Sequence, residues 1–426
     1  MINVASVEAL DKAYFTDHFK RPLYDTYAFS RIPQTVMRLL TGESHSALAE
    51  AAVGGRWTKP EVVVLFLLDG FGWHFFEKYA AQLPFLARLQ KEGVISKLSS
   101  QFPSTTAAHI TTICTGLEVG QTGIYEWYQY EPLVDRMIVP LLYSFAGDHQ
   151  GGTLSQAPFS PEKIFPFTTL YQRLKQKGVD SYIVQQESII HSPYSQALFR
   201  EGIPIAYRTF PEALDRVVDL CKTPRHTPYY LFVYFGEIDA AGHRHGIHSS
   251  EFREAVQFCF HALETHYWQP LRDCRKRIAT IVTTDHGMTS IDPRTTLYLN
   301  KAFPSLPEQL KVNKQGEPLV PAGSCRDFFL HIREEKIEEV HSFLTAQLAG
   351  KADVFFVREL IRKGFFGSAA PSERFLERVG NIVILPYPGE SVWWYEKHRF
   401  EQNFYGAHGG LTPLEMESLF LYIESI

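Results

Sequence analysis

Val62-Val63-Val64-Leu65-Phe66-Leu67-Leu68-Asp69-Gly70 is the stretch that decides the fold. An unbroken apolar run, β-branched at its start and closed by Asp-Gly, reads as a strand covered on both faces, as in a parallel sheet. The pattern recurs at residues 230–235, at 278–282 and, almost at the C-terminus, at 419–423. Helical periodicity lies between these runs, at 163–177, 211–222 and 251–276. Alternation of strand and helix predicts an α/β fold, a mostly parallel sheet with helices on both faces. The terminal strand has to join the same core as the first, so the chain reads as one large domain.

Residues 301–378 have a different texture. Segment 326–333 reads as a strand, 334–348 as a helix, 352–357 as a strand and 372–378 as a helix. A strand at 381–385 then leads back toward the core. The expected division is a core of 1–300 and 379–426 carrying a small α+β cap at 301–378. The first sixty residues read as helical or irregular, with an amphipathic segment at 34–40.

The 426 residues are 45% hydrophobic, 14% aromatic and 21% charged, which excludes disorder and fibrous structure. The net charge of −5, without a basic block, gives no support for docking on a nucleic-acid duplex. No apolar run is long enough to span a bilayer. The N-terminus does not read as a signal peptide, and the five cysteines have no C-x-x-C spacing. A reducing, cytoplasmic setting is therefore expected. Oligomeric state is not legible.

Chemistry collects where the buried strands end, the place at which open parallel sheets bind ligands. Asp69 follows the first strand, Asp239 the second and Asp285-His286 the third. His243 completes Asp239-Ala240-Ala241-Gly242-His243, and His408-Gly409 precedes the last strand. Singly, each has a plainer reading: a turn, a polar loop, an ion pair. Together, three carboxylates in one crevice repel each other unless cations hold them. Asp/His ligation without thiolate suits Zn²⁺, with Mn²⁺ or Fe as competitors, and three Asp with three His suffice for two metals. Phe102-Pro103-Ser104-Thr105-Thr106-Ala107-Ala108-His109 places hydroxyls at the start of a helix, where Ser-Thr-Thr is ordinarily a cap. Coordination to a divalent metal would turn such an alcohol into a nucleophile.

These motifs, in this order, resemble the alkaline phosphatase superfamily, and within it the type I phosphodiesterase/nucleotide pyrophosphatase branch. The likeness runs from about Val62 to Phe420. Asp69-Gly70, the segment 102–106 with Thr115-Gly116 and Gly123, Asp239 to His243, Asp285 to Met288, and His408-Gly409 each match a family motif. The resemblance implies one metal on Asp239, His243 and His408. It implies a second on Asp69, Asp285, His286 and the nucleophile. Counting back from Thr115-Gly116 puts that nucleophile at Thr106, with Thr105 as the runner-up. It further implies a phosphothreonine intermediate and a small phosphoester substrate, with a nucleotide as one class. His109 stands where the branch often has an asparagine that holds a phosphoryl oxygen, so a catalytic role or a packing role are both open to it. Ile238 replaces a common proline. Tyr125, Trp127 and Tyr128 are positional candidates for a base clamp.

Two divalent cations, three Asp and one alkoxide sum to zero charge, and no Arg or Lys lies in 103–118. That favours a phosphodiester over a monoester dianion. A phosphomonoesterase or phosphonate hydrolase on the same scaffold, and a non-catalytic metal-binding relative, are the alternatives.

Overall fold

The computed structural model of the protein describes residues 1–43 and 46–424. Its centre is a seven-stranded sheet of β1 (Val62–Leu68), β2 (Val94–Ser99), β3 (Asp180–Gln186), β4 (Ile203–Tyr207), β5 (Tyr229–Phe235), β6 (Ile278–Thr283) and β7 (Glu417–Glu424). The strand order is β2-β7-β6-β1-β5-β3-β4. Only β7 runs against its neighbours, β2 and β6; the other pairings are parallel.

Burial of β1 on both faces explains its unbroken apolar sequence. Val62, Val64, Phe66 and Leu68 enter one core cluster, together with residues of the helices Phe210–Lys222 and Ser250–Ala262. Val63, Leu65 and Leu67 enter the opposite cluster, with the helices Ile32–Thr41 and Thr106–Thr115. Each such side chain contributes about 1.5–3 kcal/mol on burial, so a polar residue at any β1 position would cost heavily.

Strands β2 and β3 did not stand out in the sequence because polar residues interrupt them, and β4, at the sheet edge, is short and carries Pro204. Lys97 of β2, for example, is buried and held 2.8 Å from both Asp11 and Glu417. The helix expected at 251–276 is α-helical over Ser250–Ala262, continues as wider π turns, Leu263–Trp268, and closes with a short α turn, Gln269–Leu271. Of 163–177, Leu170–Gln176 is α-helical, started by a Thr169/Gln172 capping box. Among the described residues no helix is long and apolar enough to cross a membrane.

The cap carries a four-stranded antiparallel sheet ordered Ala322–Gly323, Phe328–Leu330, Ile382–Pro386, Ala352–Phe356. Helix Ile337–Gln347 sits on it. Ile382–Pro386, expected to return toward the core, is an inner strand of this sheet, paired on both edges. The expected boundary at residue 378 therefore falls inside the cap. Two buried ion pairs fasten cap to core: Arg326 to Glu415 at 3.0 Å, and Arg378 to Glu131.

Candidate metal centre and nucleophile

The strand ends deliver their side chains to one crevice. Asp69 follows β1, and its backbone N–H donates to the Phe235 carbonyl at the end of β5. The chain leaving β5 enters helix Glu237–His245, which sets Asp239 and His243 one turn apart on one face. Gly242 between them leaves room for Met288: a Cβ there would stand 2.4 Å from the Met288 sulfur. Asp285 and His286 follow β6, and His408 arrives on the loop after Gly406–Ala407, which pairs with Thr289–Ser290.

Two groups of potential ligand atoms result, Asp239/His243/His408 and Asp69/Asp285/His286, each gathered within 4.8 Å. This is the same division that the motif resemblance implies. Thr106, the first residue of helix Thr106–Thr115, holds its Oγ1 3.1 Å from His286 Nε2 and 3.4 Å from Asp69 Oδ2. Thr105 is the residue before the helix and makes no side-chain cap hydrogen bond.

The imidazoles are oriented by backbone carbonyls. Nδ1 of His243 lies 2.8 Å from Gly406 O, that of His408 2.9 Å from Ser104 O, and that of His286 3.0 Å from Gly287 O. A carbonyl only accepts, so each Nδ1 carries the proton and each Nε2 turns a lone pair into the crevice. The bare Nε2 atoms of His243 and His408 stand 3.1 Å apart. Asp239 Oδ1 and Asp285 Oδ2 are buried with no donor among the described residues. Lone pairs facing one another and orphaned carboxylate oxygens are what a cation would resolve, so these residues fit a divalent metal in each group.

Electrostatics point the same way. Burial, then Asp285 and Asp239, push the Asp69 carboxyl well above its usual range. Burial raises Asp239 to about 6, against the pull of His243. Burial holds His286 and His408 well below the ordinary imidazole value, which keeps them neutral and ready to ligate.

His109 does not join the crevice, contrary to the catalytic assignment considered for it. Its Nδ1 donates to the Thr105 carbonyl at 2.7 Å, and its Nε2 accepts the Gln101 N–H at 2.9 Å. With no exposed surface and a T-shaped contact to Phe29, it is a packed, satisfied histidine. Tyr125 is likewise interior, packed edge-on against Phe329 and Phe375. Trp127 and Tyr128 do line the cavity, of about 430 Å³, that opens from Thr106 and His408 toward Trp393 and Phe400. Ile238 is buried in the main core.

Three neighbours of the crevice escaped the sequence reading. Tyr234 donates its hydroxyl to Asp69 Oδ2 at 2.5 Å. Its position opposite Leu67 in the sheet register, at the same strand ends as Asp69, was the only signal available. Glu126 lines the cavity beside Thr105 and Thr106. Trp393 comes from beyond the cap sheet, and only folding brings it there.

A model of the type I phosphodiesterase/nucleotide pyrophosphatase family matches residues 63–411. The chain belongs to that family. Its members are hydrolases of phosphodiester and pyrophosphate bonds. Among relatives of this family, rat ectonucleotide pyrophosphatase/phosphodiesterase family member 3 is 25% identical over 249 residues, 57% of this chain and 27% of the relative. Mouse family member 7 is 23% identical over 398 residues, 88% of this chain and 73% of the relative. The chain thus spans about a quarter of the length of the first curated relatives it matches. An inactive form of murine ectonucleotide pyrophosphatase/phosphodiesterase 5, solved in complex with AMP, superposes with a TM-score of 0.62 at 18% identity. That match covers 85% of this chain and 87% of that one. Phosphonoacetate hydrolase from Sinorhizobium meliloti 1021 superposes at 0.59 and 19% identity, covering 87% and 92%. Both share the α/β fold of this chain.

Proposed function

We propose that this protein hydrolyses phosphodiester or pyrophosphate bonds at a two-metal site, with Thr106 as the nucleophile. The observation that supports it most is the approach of Thr106 Oγ1 to His286 and Asp69, beside a second ligand group of the same kind. Asp239, His243 and His408 would hold one divalent cation, and Asp69, Asp285 and His286 the other. Zn²⁺ suits the nitrogen and oxygen donors, with Mn²⁺ or Fe as competitors. Bound there, such cations would lower the pKa of the Thr106 hydroxyl and offset charge on the phosphoryl oxygens.

Thr106 Oγ1 forms a bond to phosphorus as the bond to the leaving oxygen breaks, and its proton departs with the alcohol product. Water then cleaves the phosphothreonine in a second in-line displacement. Tyr234, by donating to Asp69, keeps that carboxylate turned toward Thr106. The aromatic wall of Trp127, Tyr128, Trp393 and Phe400 suits a flat, apolar group on the substrate, such as a nucleobase. AMP, bound in the structure of the murine relative, carries such a group.

Hydrolysis of bis-p-nitrophenyl phosphate and p-nitrophenyl phosphate by metal-loaded protein tests this reading. The diester should be preferred in kcat/KM, and Thr106→Ala should lose at least about a thousandfold while retaining metal. Near-wild-type turnover by that variant would sink the assignment, and loss on Thr105→Ala instead would move the nucleophile by one residue. We also read the setting as intracellular, since all five cysteines are free. Recovery of the native protein from a secreted fraction would overturn that.

A further inference from the structure

Glu126 and Asp327 are acids that the reaction above does not use, and both are fully excluded from solvent. Glu126 belongs to the core segment that follows Gly123, and Asp327 to the turn before cap strand Phe328–Leu330. They meet at Gly409, the residue after His408. A Cβ on that glycine would stand 2.6 Å from Asp327 Oδ1 and 3.1 Å from Glu126 Oε1, and its φ of +122° favours glycine there in any case.

Donors reach only half of each carboxyl group. Asp327 Oδ1 accepts from the Ser324 N–H at 3.1 Å and from the Ser324 hydroxyl at 2.5 Å. Glu126 Oε2 accepts from the Trp127 N–H. Glu126 Oε1 and Asp327 Oδ2 have no donor among the described residues. Arg326, whose charge also acts on Asp327, makes its ion pair with Glu415, and Arg378 makes its own with Glu131, so among the described residues neither carboxyl has a cation paired to it. Two ionised carboxylates side by side in such a place are strongly disfavoured, whereas a proton on one removes a buried charge and lets that carboxyl hydrogen-bond the other.

We propose that Glu126 and Asp327 hold one proton between them at neutral pH and act as a positioning pair, clasping the cap to the loop that carries His408. The path is short. Ser324 Oγ, beside Asp327, also lies 3.1 Å from the His408 carbonyl. On the other side of the loop, Ser104 donates its hydroxyl to the Gly410 carbonyl at 2.8 Å and its own carbonyl receives His408 Nδ1–H. Cap and nucleophile segment thereby grip the same loop from opposite sides.

Burial pushes Glu126 up to about 8, and burial followed by Glu126 pushes Asp327 well above its usual range. The groups facing the pair are Thr105, the Trp127 N–H, Ser324, Tyr125, Tyr128, Cys325, Arg326 and Glu415. Through linkage, a carboxyl raised in the folded state adds stability that is fully present below its unfolded value. That stability is lost as pH rises to the folded value.

The test is the thermal midpoint of the metal-loaded full chain between pH 5 and 9, wild type against Glu126→Gln. The amide keeps a hydrogen bond to Asp327 but cannot titrate. The wild-type midpoint should fall relative to the variant from pH 5 to about 8 and then level off. The corresponding slope is one proton, tenfold in the folding constant per pH unit. Asp327→Asn, which removes the second seat of the proton, should abolish the same slope and serves if the first variant does not fold. A pH-independent gap would overturn the shared proton. Loss of a metal equivalent in Glu126→Gln would overturn it too, making the pair a cation site.

The positioning role, which rests on the phosphodiesterase reading, has its own measurement. Above about pH 8 wild-type kcat on the diester should fall with KM unchanged, and Glu126→Gln should not follow it. An equal fall in both proteins refutes positioning. Absence of turnover in both refutes the functional reading and leaves the thermal slope to decide the proton.

Discussion

Glu415 and Asp285 are both wholly excluded from water, yet their surroundings are opposite. Glu415 is met by the guanidinium of Arg326 at two oxygens, by the Gly410 N–H and by the Thr412 hydroxyl. Its charge is cancelled and its lone pairs are filled within the chain. Asp285 receives N–H donors from Gly70 and His286 on Oδ1 only, and its Oδ2 is bare beside the Nε2 of His286. The histidines repeat the contrast. His109 spends both ring nitrogens on the backbone, while His243, His286 and His408 spend one and hold the other open. Burial alone therefore does not mark function; an unfilled coordination sphere among buried groups does.

The largest expected effect comes from the open side. Asp285→Asn should lose one metal equivalent and at least about a hundredfold in activity. Without metal, however, the variant should melt higher than wild type, because it removes one of three mutually repelling carboxylates. Calorimetry with and without a chelator reads the crossover. Equal midpoints for the two metal-free proteins would break the comparison.

On the closed side, Arg326→Met should cost about 3–5 kcal/mol, since it strands a buried Glu415 charge. The loss should be the same with and without added metal, as denaturant titrations would show. A metal-dependent loss would mean that the cap clamp and the ligand groups are not separate. His109→Leu should cost less, about 1–3 kcal/mol, from the unfilled Gln101 N–H and the lost bond to Thr105. Metal stoichiometry should hold at two per chain and KM should stay within about twofold. A drop in stoichiometry would put His109 among the open histidines after all.

Much of the centre was legible in the sequence because strand ends and short motifs are local. A seven-residue apolar run with both faces buried has little freedom to be anything but an inner strand, and the residue after it must emerge at the sheet edge. That reasoning reached Asp69, Asp239, Asp285, His286 and their pairing with His243. Polar-laced strands such as β2 and β3 were not legible. The groups that make Lys97 tolerable there, Asp11 and Glu417, are remote in sequence. The role of His109 was not legible either, since the i+3 spacing from Thr106 allowed either direction for its ring.

The sequence by itself determined the sheet class, the residue types gathered at the strand ends and the threonine at the helix start, since these follow from periodicity and neighbouring residues. Only the tertiary structure decided which polar groups are filled and which stand open. It paired Ile382–Pro386 into the cap, turned His109 inward and set Tyr234 on Asp69. It also brought Glu126 and Asp327, 201 positions apart in the chain, to the same glycine. Hydrogen-bond satisfaction is settled by whatever side chains arrive from distant segments, and a one-dimensional pattern carries no record of those arrivals.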